Sequence, residues 1–122
     1  MLLSMALPTL NPHMTVATIM RVHVSAGDAL APGAKLLDVR VDLSDAFPQD
    51  CPPVSYYRLV LRERAWLRHL AVAHGADVPP GCVLALFSTE AGEPLAGAPA
   101  RAVRLATAGI LWQPDWAAEA VP

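Results

Sequence analysis

The chain has 122 residues, 54% of them hydrophobic and 16% charged, with nine Lys and Arg against eleven Asp and Glu. That balance is too apolar for a chain disordered throughout, and a formal charge of −2 excludes nucleic-acid binding driven by bulk positive charge. Two cysteines, Cys51 and Cys82, with no Cys-x-x-Cys pair, supply neither a disulfide framework nor a zinc site.

The opening Met1–Leu7 run is apolar but lacks a basic flank and meets Pro8 at once, unlike a secretory signal. No run approaches the ~20 apolar residues that cross a bilayer. The expectation is therefore a cytoplasmic protein without membrane or nucleic-acid partners. Twelve prolines and seven glycines are spread along the chain and cut it into pieces short enough for strands rather than long helices.

From Ala17 to Val39 the text alternates at Val22 and Val24, breaks at Gly27, resumes at Leu30, breaks at Pro32-Gly33 and resumes at Leu36. From Ala65 to Phe87 it does the same: Leu70 and Val72, Gly75, Val78, Pro80-Gly81, Leu84. Every landmark of the second segment stands 48 residues after its counterpart in the first, without a gap. Alternating apolar residues predict half-buried strands, and the glycines supply the positive φ that tight turns need. Each copy reads as strand, turn, short rung, turn, strand. Neither copy can cover its own apolar face, so the two are expected to pack together about a pseudo-twofold axis.

This duplicated unit, preceded by Leu7-Pro8-Thr9-Leu10-Asn11-Pro12-His13-Met14, resembles the lipoyl/biotinyl attachment domains. The closest likeness is to the lipoyl domains of dihydrolipoyl acyltransferases in 2-oxoacid dehydrogenase complexes. It covers about residues 6–90. The resemblance implies an all-β fold, a barrel-sandwich hybrid: a flattened β-barrel of two pseudo-twofold-related four-stranded sheets. It also implies that the lead-in forms the first strand and its turn.

In that family the first half ends in a hairpin bearing Glu-Thr-Asp-Lys-Ala, whose lysine carries lipoate or biotin. Counted from Gly33 and Val39, this chain has Arg40-Val41-Asp42-Leu43-Ser44. Asp42 matches the aspartate, but Leu43 stands at the lysine's place, and leucine has no amine from which to form an amide. Lys35 is the single lysine of the chain and the fallback attachment site; otherwise no cofactor is expected. The resemblance thus implies an unmodified, non-catalytic module for interaction or assembly. Its partner would be a 2-oxoacid dehydrogenase or a related acyl- or carboxyl-transferring system. The alternatives are a carrier using Lys35, and a lipoyl-like adaptor of a transport or membrane-fusion system.

Candidate partner contacts lie on and after the loop that would follow Leu43: Phe47, Cys51 and Tyr56, then Arg62 and Arg64 in a stretch that also holds Arg58, Trp66 and Arg68. Arginine beside an aromatic suits anion or partner binding, although Arg alternating with Leu59 and Leu61 reads first as the solvated face of a strand. Cys51, in Asp50-Cys51-Pro52, could act as an exposed thiol, whereas Cys82 reads as a small strand residue. His13, His23, His69 and His74 form no ligand cluster, and no nucleophile elbow, phosphate loop or zinc-helix motif occurs. No metal site and no enzyme activity are expected.

Residues 91–100 have the Ala/Pro/Gly composition of a linker, and 101–122 recover apolar character with Trp112 and Trp116. This tail is expected to fold back on the domain formed by residues 1–90, the other reading being a docking peptide.

Overall fold

The computed structural model describes residues 1–12, 14–42 and 54–110, and the regular structure among them is entirely β. Ten strands follow in chain order: β1 (Leu2–Ala6), β2 (Ala17–Val22), β3 (Ala29–Leu30), β4 (Lys35–Asp42), β5 (Val54–Leu61), β6 (Ala65–Leu70), β7 (Asp77–Val78), β8 (Val83–Ser88), β9 (Arg101–Ala102) and β10 (Leu105–Ile110). They make two five-stranded sheets, ordered β3-β6-β8-β1-β9 and β10-β5-β4-β2-β7. Every pairing is antiparallel except β1 with β9.

One core lies between the sheets. Leu3, Met5, Leu67, Leu84 and Phe87 come from the first sheet, and Ile19, Leu37, Val39, Leu59 and Leu61 from the second. All are buried to within 1% of complete enclosure. Burying such a side chain contributes roughly 1.5–3 kcal/mol, and this hydrophobic term holds the two layers together.

The repeat in the sequence is a repeat in hydrogen bonding. Gly27 N–H donates to the Leu67 carbonyl at 2.7 Å, and Gly75 N–H donates to the Ile19 carbonyl at 2.7 Å. Gly33 N–H reaches the Leu61 carbonyl at 2.7 Å, as Gly81 N–H reaches that of Leu7 at 2.8 Å. β3 pairs with β6 of the other copy (Ala29 opposite Trp66), and β7 pairs with β2 in the same register (Thr18 opposite Asp77). Even the irregularities match: the β2·β4 ladder slips between Ile19 and Arg21, and the β6·β8 ladder slips between Leu67 and His69. Gly33 and Gly81 adopt φ of 94° and 86°, as their Pro-Gly turns require.

The structure corrects the expected strands in three places. The sheets have five strands, not four, because residues 101–110 supply an outer strand to each. β9 runs parallel to β1, the chain crosses over at Val103 and Arg104, and β10 then pairs with β5. Val103 is buried at that crossing, and its N–H donates to the Ser4 carbonyl at 2.8 Å. The first strand is Leu2–Ala6 rather than the Leu7–Met14 lead-in, whose described residues, 7–12 and 14, lie in no strand. The alternating Val22/Val24 and Leu70/Val72 mark strand ends: β2 and β6 stop at 22 and 70, and Val24 and Val72 pack on the core from the turns beyond. No helix among the described residues is long and apolar enough to cross a membrane.

Candidate functional site

Where the two copies differ is where the scaffold alone does not dictate the residue. Along β4, Leu37, Val39 and Val41 face the core, so Asp38 and Arg40 lie on the opposite face by strand alternation. The register sets Arg21, Asp38, Arg58 and Ala108 in one row across β2, β4, β5 and β10, and Thr18, Arg40, Tyr56 and Ile110 in the next. At the corresponding place in the other sheet, β1 and β8 set Ser4 opposite Leu86. A neutral pair there is replaced here by an ion pair.

Asp38 is fully buried although it points away from the core. Arg58 grips it with two bonds, Nε to Oδ1 at 2.8 Å and Nη2 to Oδ2 at 3.2 Å. His23 Nε2 stands 3.0 Å from Oδ2. Burial alone would raise the Asp38 pKa, but the hydrogen bonds and charges of Arg58 and His23 outweigh it and leave the carboxyl below its usual value. The same carboxylate pushes the Arg58 guanidinium upward. With both oxygens bonded by Arg58, Asp38 is a clamp between β4 and β5. His23 and Arg58, each about one-fifth exposed, are what the clamp offers to solvent.

An open cleft of about 560 Å³ adjoins this face at the ends of β2 and β6. Met20, Val22, Leu70 and Val72 give it an apolar lining, with Arg21 and His74 as its polar walls.

The predicted site residues do not converge. Asp42 ends β4 and Lys35 begins it, so they lie roughly 23 Å apart at the rise of an extended strand. Lys35 is exposed, in register with Val60, two residues beyond the Gly33 turn. Tyr56 is half-buried on β5 opposite Arg40. Leu43, Phe47, Cys51, His13, Trp112 and Trp116 lie outside the described residues.

The reading of the arginine stretch as one solvated strand face is corrected. Arg58 is locked to Asp38, and Arg68 donates to Ser88 Oγ at 3.2 Å and to the Glu93 carbonyl at 2.6 Å. Arg62 and Arg64 are exposed, but in the three-residue connection between β5 and β6 rather than on a strand. Between them Glu63 accepts two bonds from Arg101, each 2.8 Å, and one from the Arg104 backbone N–H at 2.7 Å. The Arg101 bond leads the causes that bring the Glu63 pKa down to about 2.

Cys82 is a free, half-exposed thiol packed against the core. Among the described residues, no three His, Cys, Asp or Glu side chains come together as a metal site.

Sequence reasoning overlooked Asp38. Its signal was one carboxylate inside the otherwise apolar Leu36-Leu37-Asp38-Val39. A buried strand keeps such a charge only when it is paired.

Compared with known proteins, the chain matches no family model and no curated protein.

Proposed function

We propose that the protein is a lipoyl/biotinyl-like barrel-sandwich module that carries no prosthetic group and acts by binding a protein partner. The duplication supports this reading: two copies offset by 48 residues share glycine turns, hydrogen bonds and ladder slips, as expected of that fold. The residue change that shapes the function is Leu43, where an attachment domain needs a lysine. Lys35 is a poor substitute, because it begins a strand and is in ladder register, whereas a modifying ligase needs a lysine presented at the tip of a hairpin.

The partner is proposed to be a 2-oxoacid dehydrogenase or a related acyl- or carboxyl-transferring assembly. The asymmetric face around Asp38, Arg58 and His23 and the adjoining apolar cleft offer a surface for it. Residues there combine cationic edges with apolar floor, as protein-binding patches do.

The test is coexpression with a lipoate ligase and, separately, a biotin ligase, followed by intact-mass measurement. The unmodified mass is expected in both cases, and a Leu43→Lys variant is the informative control. Addition of lipoyl or biotinyl mass to Lys35 of the wild-type chain would reverse the reading in favour of a carrier. Affinity purification from the native cell should recover an acyl- or carboxyl-transfer component. Recovery of none, together with recovery of an unrelated partner, rejects the assignment of partner class.

A further inference from the structure

Among the described residues the two sheets have four outer strands, and three of them are blunted. β3, β7 and β9 are two residues long; Pro32 follows β3, Pro79 and Pro80 follow β7, and β9 begins with Arg101, whose side chain is committed to Glu63. These are the devices by which sheet proteins avoid pairing edge to edge: short strands, charges and prolines. β10 uses none of them. It is six residues long, Leu105-Ala106-Thr107-Ala108-Gly109-Ile110, with no charge and no proline. Its ladder with β5 runs without a slip from Leu105 to Ile110, so no bulge twists the edge away. Among the described residues, no strand pairs with its outer side.

We propose that β10 is a strand-addition edge and that its occupant is β10 of a second copy of the chain, paired antiparallel about a twofold axis. An unprotected edge is a template for pairing with another chain, and a second copy brings an identical edge that fits it. Side chains directly opposite in an antiparallel pair share a face, so a twofold contact must centre on a residue facing its own copy. Centred on Thr107, the contact sets Thr107 against Thr107, and Ala106 against Ala108 of the other copy. Residues 107–109 are exposed, small and uncharged, so the meeting strands bring together neither like charges nor bulky side chains. The result joins the two β10-edged sheets into one ten-stranded sheet and closes the edge that β10 presents in each molecule. It leaves the Asp38 face accessible for the proposed partner and does not depend on that proposal.

Sedimentation of the full chain over a range of concentrations tests it. A mass twice the 13.0 kDa of one chain is expected at micromolar concentration. Amide exchange should slow with rising concentration at residues 105–110 and not at β3, β7 or β9. Thr107→Lys, which sets two cations face to face at the axis, should raise the dissociation constant by about tenfold or more. If Thr107→Lys lowers the melting temperature, Ala108→Lys is the second variant: it sets a lysine against Ala106 of the other copy, with the two lysines diagonal across the axis on the other face, and should weaken the contact in the same direction. A chain that stays monomeric at all concentrations overturns the proposal. So does a dimer whose protection lies elsewhere, or one that both folded lysine variants leave intact. If neither variant folds, the location of the concentration-dependent protection in the wild-type chain decides.

Discussion

At the scale of single residues, Asp38 is the most consequential side chain described. A buried carboxylate is tolerated because Arg58 bonds both of its oxygens, and removing it leaves a guanidinium one-fifth exposed without its anion. Asp38→Leu alone should therefore destabilise the fold by about 3 kcal/mol in urea unfolding. Asp38→Leu with Arg58→Ser copies the Leu86 and Ser4 pair of the other sheet, and should recover most of that loss. A double variant no more stable than the single one would show that the pair is not separable from its surroundings. The pairing could not have been read from the chain, because its members stand 20 residues apart and meet only when β4 and β5 align. The isolated aspartate in an apolar strand was visible; its partner was not.

Individual elements show how much of the fold was written in its punctuation. The Gly and Pro-Gly positions of both copies correspond to observed turns, since glycine is the residue that takes positive φ without steric cost. Space around the two turn glycines is open: a Cβ at Gly33 or Gly81 would meet nothing within 4 Å. The cost of an alanine there is backbone strain alone. Gly33→Ala and Gly81→Ala should each lose about 1–2 kcal/mol, and by nearly equal amounts, in chemical denaturation. Losses differing by more than about 1 kcal/mol would mean that the two turns are not energetically equivalent. The outer strands β9 and β10 were illegible for the opposite reason. Leu105-Ala106-Thr107-Ala108-Gly109-Ile110 has too little alternation to announce a strand, and its Ala/Pro/Gly approach reads as linker. Pairing with β5, not intrinsic preference, makes it one.

Across the whole molecule, Glu63 ties the crossover from β9 to β10 to both layers. It binds Arg101 at the start of β9 and the backbone N–H of Arg104, just before β10. Its carboxyl titrates near 2 in the folded protein against an ordinary value of 4.5, so the unfolded chain takes up the proton first. The stability it contributes is whole above pH 4.5 and drains away as pH falls toward 2. Melting temperatures measured from pH 6 to pH 2 should fall across this window, and Glu63→Gln should flatten part of the fall. An equally steep decline in the variant would assign the acid sensitivity to other groups, Asp38 first among them, since its depressed carboxyl acts in the same direction.

The exchange of short rungs between copies bears on the ancestry of the chain. β3 finds its partner in β6 and β7 finds its partner in β2, so a free half would have each rung reaching for a strand it does not own. A half-length forebear could have completed its sheets only by embracing a twin. Joining two such halves in one polypeptide would make that embrace permanent and let equivalent positions differ, so that Asp38 faces Arg58 in one sheet where Leu86 faces Ser4 in the other.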